Sequence, residues 1–182
     1  MPDGVKSTKN EKEILNDAKR LLGQLDNIGS YQLQETFINC WHENEHESEA
    51  MWKLYTSTLD QGIAIKTSYK KLYTSLGRNP SIHIGRINYI DFQNNFAGIN
   101  DSFWFKRKSF EHEKEVRAIF QDREAKNEFG KLIPVDLNIL IDKIYISPTS
   151  QTWFKDIVED ILSRYNIKKK IAESSMKEKP FH

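Results

Sequence analysis

Residues 109–120 read SFEHEKEVRAIF and place three carboxylates, a histidine and an arginine beside β-forming residues. If the chain is extended from His112 onward, alternate side chains share a face, which puts Glu113, Glu115 and Arg117 on one side. A strand seldom turns two acids and a guanidinium toward its neighbours unless they border water or a ligand. The segment therefore predicts a strand beside a functional site, with a helix that ends at Glu113 as the alternative for its first half.

The composition indicates one globular domain without a dominant charge. The 182 residues suffice for a single core, and the formal net charge of +1 gives no overall attraction to nucleic acid or acidic membranes. The single cysteine, Cys40, excludes an internal disulfide and is typical of a reducing compartment. No apolar run is long enough to cross a bilayer, and the amino terminus lacks the apolar segment of a secretion signal. We therefore expect a cytoplasmic protein that does not enter membranes.

Apolar spacing divides the chain into a lead-in with a helix over residues 1–35, a single domain over 36–176 and a tail over 177–182. The first helix is expected to follow a polar stretch over 1–10 and to stop at Gly29 and Ser30. Strands are predicted at 36–41, 62–67, 82–90, 132–135, 143–147 and 171–174, and helices at 50–55, 68–76 and 153–162. Strands interleaved with helices predict an α+β (mixed α/β) fold with a mixed sheet flanked by helices.

Two of these elements carry more detailed expectations. Residues 62–67 are predicted as a buried strand because the stretch is apolar, β-branched and preceded by glycine. Thr149 or Ser150 is expected to cap the helix that follows residue 150, and residues 92–104 are expected to form a loop with one helical turn.

Residues 42–46, HENEH, match the H-E-x-x-H pattern of zinc proteases. That chemistry needs both imidazoles on one face of a buried helix, with the glutamate polarising a metal-bound water. Here the pattern follows a strand-like run, and no glutamate lies between Glu49 and Glu111 to supply a nearby third ligand. We therefore expect an acidic loop that leads into a helix, and no metal site.

Rings with polar tips cluster around the predicted strand–helix–strand unit of residues 36–67. They are Trp41, His42, Trp52, Tyr55 and Tyr69. Such rings suit a pocket for a flat ligand such as a nucleobase or nicotinamide, but burial in a plain core explains their helical spacing more simply and is favoured for each ring taken singly. The sequence leaves both interpretations open.

The acid-rich segment follows a run of three cations over residues 106–108. A glutamate among such charges can act as a base, or it can hydrogen-bond a sugar hydroxyl and stabilise positive charge at an anomeric carbon. Lys108 and Arg117 could instead bind phosphate groups. The alternative without function is a ladder of exposed ion pairs on an edge strand.

Three blocks of the chain resemble the bacterial and phage family called domain of unknown function 2971. The blocks are CWHENEHESEAMWKLY over residues 40–55, GIAI over 62–65 and KSFEHEKEVR over 108–117. Their order and spacing match from about Phe37 to the carboxyl end, and the family's pattern includes His42 but need not include His46. The resemblance also implies an additional strand and a segment similar to F-N-D-P-F-E ahead of the region where this chain starts.

A more distant similarity suggests a mechanism. The Glu-x-Glu pair formed by Glu113 and Glu115 at the start of a strand resembles the catalytic segment of ADP-ribosyltransferases. That resemblance implies that Glu115 is the catalytic acid at the nicotinamide ribose and that Glu113 orients the acceptor. It further implies that His42, or else the family's additional upstream strand, supplies the ribose anchor. Ser68 would be the serine that closes an earlier strand, although it is equally typical of a helix cap.

The sequence leaves two main classes of function open. In the first, a nucleotide such as NAD contacts Trp52 and Tyr55, and Glu115 promotes transfer or hydrolysis at the ribose, with a nucleic acid or protein as acceptor. In the second, the pocket binds a nucleotide, a nucleic-acid end or a protein without chemistry, and Lys108 and Arg117 matter more than Glu115. A structural fragment without its own activity is a third alternative.

Overall fold

The computed structural model describes residues 11–56, 60–95, 98–125 and 128–177. Helices and strands alternate along the chain, so the predicted α+β fold is confirmed. In these ranges, no helix combines the length and the hydropathy that crossing a bilayer requires. The predicted lead-in over residues 1–10 and most of the predicted tail, residues 178–182, lie outside the described residues.

The elements follow the predicted order with a few additions. The α-helices are α1 (Glu11–Glu35), α2 (Glu49–Thr56), α3 (Tyr69–Ser75), α4 (Leu137–Leu140) and α5 (Thr152–Arg164). The strands are β1 (Thr36–His42), β2 (Ile63–Lys66), β3 (Ile82–Arg86), β4 (Asn88–Ile90), β5 (Phe105–Arg107), β6 (Glu115–Gln121), β7 (Lys143–Ile146) and β8 (Ile171–Glu173). Short 3-10 helices cover Ile99–Trp104, Lys108–Glu113 and Ser175–Lys177.

Within the described ranges, the strands form three small sheets. β6 is the centre of an antiparallel sheet between β1 and β3, and its first residue, Glu115, is paired in register with His42 at the end of β1. β7 is the centre of a second sheet, antiparallel to β2 and parallel to β8. β4 and β5 form a parallel pair. The predicted mixed sheet flanked by helices is thus present as β2–β7–β8, and the acid-rich segment belongs to a separate antiparallel sheet.

The clearest core cluster lies where β7 packs against α5. Ile144 of β7 is only 2% exposed and contacts a cluster that includes Ile141 before it and Val158 and Leu162 of α5. Val158 and Leu162 are four residues apart and therefore share one face of the helix. This core fixes the second sheet, one of whose strands, β2, faces the candidate site described below.

Several sequence predictions are wrong at this level. α1 continues through Gly29 and Ser30 to Glu35, because an isolated glycine costs a helix only about 1 kcal/mol. Residues 132–135 form no strand, since Pro134 lacks the amide hydrogen that a ladder needs. Residues 82–90 form two strands instead of one, because β3 and β4 join different sheets.

Two further predictions are wrong in their detail. The strand predicted as buried, β2, is half exposed, with Ile63 at 48% and Ile65 at 37%, because it lies at the edge of its sheet. The residue at the amino-terminal cap of α5 is Gln151, which makes no side-chain cap hydrogen bond, whereas Thr149 and Ser150 instead contact the Asp60 carbonyl.

Candidate functional site

The acid-rich segment changes conformation in its middle. Residues Lys108–Glu113 form a 3-10 helix, Lys114 adopts a left-handed backbone with φ of 41°, and β6 begins at Glu115. The prediction of a strand from His112 onward is therefore wrong in its first half, and the helical alternative that ends at Glu113 is correct. Strand alternation does not place the two acids together, so their proximity depends on the turn at Lys114.

A lysine from β5 joins the two acids. The Lys106 ammonium forms ion pairs with the Glu113 carboxylate and, at 3.2 Å, with Oε2 of Glu115. Arg117 approaches Glu115 from the other side, with its Nε donating to Oε1 at 2.7 Å. The Glu115 side chain is only 5% exposed, so these cations compensate a carboxylate that is largely removed from water.

The backbone at the start of β6 is also fixed. The Glu115 amide donates to the Tyr89 hydroxyl at 2.7 Å, and its carbonyl accepts from the Ile87 amide at 2.9 Å. Both partners come from the β3–β4 region, which explains why the extended segment over 82–90 breaks at Ile87. The Glu115 carboxylate is thus positioned by its own main chain as well as by its ion pairs.

The charges around Glu115 keep it ionised. Removal from water raises its pKa, but hydrogen bonds from Arg117, the Cys40 thiol and Lys106 outweigh that effect and lower the pKa to about 2. For Lys106, partial burial opposes the charged form, yet its bonds to Glu113 and Glu115 raise its pKa above the usual value. At neutral pH the site therefore carries fixed, paired charges.

The two carboxylates open on a cavity of about 610 Å³ whose walls come from both three-stranded sheets and from α2. We call it the acidic cavity because four glutamates line it. Its charged and imidazole side chains are those of Glu45, Glu47, Glu113, Glu115, Lys66, Lys106, His42 and His46. Its rings are those of Trp41, Trp52, Tyr55 and Tyr145.

The structure brings most of the predicted site residues together. Glu113, Glu115, His42, Trp52 and Tyr55 all line the acidic cavity. Trp52 is 8% exposed and forms part of the wall, while Tyr55 is 73% exposed. The two interpretations of the ring cluster are thus both valid for Trp52, since it is buried and still faces the cavity.

Three predicted ligand-binding residues lie outside the cavity wall. Ser68 is exposed and caps α3, where its Oγ accepts from the Lys71 amide at 3.4 Å. Lys108 is exposed on the 3-10 helix. The Arg117 guanidinium is occupied by Glu115 and by the Phe103 carbonyl, which accepts from Nη1 at 2.5 Å. Arg117 therefore acts on the cavity only through Glu115.

His42 lines the cavity and has one paired and one unpaired ring nitrogen. Its Nδ1 lies 2.6 Å from the Glu113 carbonyl, which can only accept, so Nδ1 carries the proton. Nε2 is buried and has no hydrogen-bond partner within the described part of the chain. In the neutral ring Nε2 is an acceptor, and a ligand hydroxyl would satisfy it.

Sequence reasoning missed three residues of the site. Glu47 accepts the Trp52 indole hydrogen at 3.2 Å with Oε1 and the Ser175 amide at 2.9 Å with Oε2, so it ties the ring to the carboxyl-terminal segment. The sequence shows Lys106 only as part of a basic run, although its place between Phe105 and Arg107 in a short strand is compatible with a half-buried cation. Lys66 ends β2 at the cavity wall, and no pattern indicated it.

The H-E-x-x-H match does not assemble a zinc site. His42 ends β1, and His46 lies in the loop before α2, so no helix carries both imidazoles. Among the described residues, no group of three or more histidine, cysteine, aspartate or glutamate side chains is arranged to hold a metal ion.

The Cys40 thiol is expected to react slowly. Cys40 is an exposed residue, but partial removal of its thiol from water and the neighbouring Glu115 carboxylate raise the pKa of Cys40 to about 11 from 9.0. The thiolate fraction near pH 8 falls about a hundredfold, and greater intrinsic nucleophilicity offsets part of that loss. We expect alkylation of this single cysteine by iodoacetamide to be at least about tenfold slower than in the same chain unfolded in urea. Glu115→Gln should accelerate it, and equal rates in folded and unfolded protein would contradict the assigned environment.

No family model, curated protein or solved structure matches this chain. The resemblance to the domain of unknown function 2971 family therefore stays a prediction, and functional inference starts from the residues of the acidic cavity.

Proposed function

We propose that the acidic cavity binds a nucleotide such as NAD and that the protein transfers or hydrolyses its ADP-ribose unit. One observation carries this proposal. An ionised Glu115 and the His42 imidazole, whose buried Nε2 has no partner among the described residues, line the same cavity as the rings of Trp52 and Tyr55. These groups match the parts of the ligand, since the rings suit a flat base and the polar groups suit a ribose.

The size and the rings of the cavity support the binding step. A volume of about 610 Å³ lies within the roughly 300–1,000 Å³ typical of small-molecule sites. Trp52 is held by Glu47, so its indole presents a fixed apolar face, while the exposed Tyr55 can adjust to a bound base. The nicotinamide or the adenine would stack on these rings.

Lys66 supplies the most suitable contact for the diphosphate. It lines the cavity, and its ammonium has no ion-pair or hydrogen-bond partner in the described part of the chain. Lys106, in contrast, is held by two glutamates, and Lys108 and Arg117 lie outside the wall. A lysine binds phosphate as a point charge, which suits a flexible diphosphate.

The ribose step follows from the position of Glu115. The bond between C1′ and the nicotinamide nitrogen breaks, and its electron pair leaves with nicotinamide. The positive charge that develops on C1′ and the ring oxygen is stabilised by the fixed Glu115 carboxylate. His42 Nε2 accepts a ribose hydroxyl hydrogen, and Glu113 orients the water or acceptor hydroxyl that adds to C1′ and releases its proton to solvent.

A second function is favoured by the ion pairs of Glu115. Arg117, Lys106 and Cys40 together occupy much of its hydrogen-bonding capacity, as a purely structural carboxylate would require. In that case the cavity binds the nucleotide without chemistry. The phosphate contact at Lys66 is common to both functions, whereas only the first needs Glu115.

A thermal-shift titration tests the binding step. NAD and ADP-ribose at about a hundredfold their dissociation constants should stabilise the protein by about 2.7 kcal/mol, which raises the Tm by roughly 5–10 °C at this chain length. Lys66→Ala should remove most of the shift. Lys108→Ala is the matched control, because it deletes an exposed lysine outside the wall and should leave the shift unchanged. Absence of a shift with both nucleotides would reject the proposed ligand class.

A further inference from the structure

A second concave surface lies where β3 forms the outer edge of the antiparallel sheet. It encloses about 430 Å³ and lies between α3, β3 and Trp104. We call it the aromatic groove. Among the residues described, it shares no lining residue with the acidic cavity, so it is a separate feature of the molecule.

Three rings shape the aromatic groove. Tyr69 and Tyr73 lie one helical turn apart on α3, with ring centroids 6.3 Å apart and ring planes within 9° of parallel. Tyr69 is 63% exposed, so much of its ring is available to a ligand. The Trp104 indole lies across β3 at Gly85, where a Cβ atom would stand 2.9 Å from the ring. Glycine at this position therefore permits the indole to approach the strand closely.

The described surface of the groove lacks the negative charge of the acidic cavity. No carboxylate lines the described surface of the groove, whereas four glutamates line the acidic cavity. Lys70 follows Tyr69, and Arg78 precedes the lining residue Asn79. Both cations are exposed, and neither has an ion-pair partner in the part of the chain that the structure describes. Neither cation lines the groove itself, but each is next in sequence to a lining residue, so a polyanion in the groove would meet positive charge at its edge.

We propose that the aromatic groove binds single-stranded nucleic acid. Bases stack on Tyr69 and Trp104, and the backbone phosphates contact Lys70 and Arg78. Exposed rings combined with cations along an open groove are the usual means of binding a single strand, because every base has a face that can stack. A duplex keeps its bases stacked inside and offers the rings nothing equivalent. A proline-rich peptide would use the rings but gain nothing from the two cations.

Fluorescence anisotropy with a short dye-labelled oligothymidylate tests this proposal. The full chain should bind the probe at low salt, and Trp104→Ala and Tyr69→Ala should each weaken binding by at least about fivefold. Gly85→Ala should weaken it as well, because the new methyl group displaces the indole. Tyr165→Ala is the matched control: it removes another exposed tyrosine, which lines neither the aromatic groove nor the acidic cavity, and should leave the affinity unchanged.

Salt dependence gives a second readout that does not depend on the rings. Replacing both Lys70 and Arg78 by alanine should reduce the slope of log affinity against log salt by about 1.4, since each phosphate contact on a single strand contributes about 0.7. The proposal is overturned if the probe does not bind, if a blunt duplex binds equally well, or if the ring variants bind like the wild type. Binding of a proline-rich peptide with no effect of the cations would also overturn it. None of these outcomes bears on NAD binding in the acidic cavity.

Discussion

Replacing Glu115 by glutamine should lower the release of nicotinamide from NAD by at least about a hundredfold, while NAD still raises the melting temperature. Glutamine keeps the shape of the side chain but removes the negative charge that stabilises C1′ as the glycosidic bond breaks. Loss of one such electrostatic contact typically costs about a hundredfold to a thousandfold in kcat. Nicotinamide release and thermal shift measured on the same preparations separate catalysis from binding.

Two other carboxylates of the acidic cavity provide the comparison. Glu45→Gln removes a charge from the exposed rim and should leave turnover within about twofold of the wild type, because screening by water weakens its field at the ribose. Glu113→Gln should lower transfer to an acceptor more than hydrolysis by water, since its proposed role is to orient the acceptor. If Glu115→Gln leaves turnover intact, Glu115 is not the catalytic carboxylate. If no turnover exists while Lys66→Ala abolishes binding, the site is a binding module.

The fold around Glu115 could be predicted in part because its signals are local. The apolar runs that became β1, β6 and β7 are short and rich in β-branched residues, so they indicated strands from spacing alone. The turn at Lys114 could not be predicted in this way. A left-handed residue other than glycine is uncommon, and it is held here by the hydrogen bond between its carbonyl and the Glu43 amide, a contact remote in sequence.

The residues of the acidic cavity also differ in how far local sequence patterns can indicate them. The resemblance to ADP-ribosyltransferases links His42 and Glu115 to a common site, and the two residues are paired across β1 and β6. Lys66 could not be found, because its relevance depends on the position of β2 relative to β1 and on no local pattern. Ser68 differs from Lys66, because its local sequence predicts a helix cap, and a helix cap is the role that the structure shows.

Replacing Arg117 by methionine should destabilise the protein by about 2–3 kcal/mol at pH 7, the second large effect that we expect. The change leaves the Glu115 carboxylate buried without its strongest partner and leaves the Phe103 carbonyl without a donor. Removing one partner of a buried ion pair typically destabilises a protein by about 3–5 kcal/mol. Water in the acidic cavity can solvate part of the Glu115 charge, so we expect a loss at or below the lower end of that range. Urea denaturation followed by tryptophan fluorescence measures the change in unfolding free energy.

Arg86→Met is the matched control. Arg86 also makes a two-pronged contact with a glutamate, Glu43, with donor–acceptor distances of 2.6 and 2.8 Å. Its side chain is 77% exposed and that of Glu43 is 48% exposed, so the pair is solvated. Exposed ion pairs contribute at most about 1 kcal/mol, so this variant should remain close to the wild type. Equal losses of unfolding free energy in Arg117→Met and Arg86→Met would show that the burial of Glu115 does not determine the destabilisation.

The pH dependence identifies the charge of Glu115 as the cause. The folded pKa of about 2 lies below the ordinary value of 4.5, so the stabilisation by this carboxylate is complete above about pH 4.5 and is lost as the pH falls toward 2. Arg117→Met raises the pKa of Glu115 in the folded protein, so the variant loses less stability on acidification than the wild type does. The difference in unfolding free energy between the two proteins should therefore narrow below about pH 4.5. Adding Glu115→Gln to Arg117→Met should recover stability at pH 7, because it removes the unpaired charge. If the difference in unfolding free energy stays constant with pH, the loss of stability comes instead from packing and from the Phe103 carbonyl that lacks a donor.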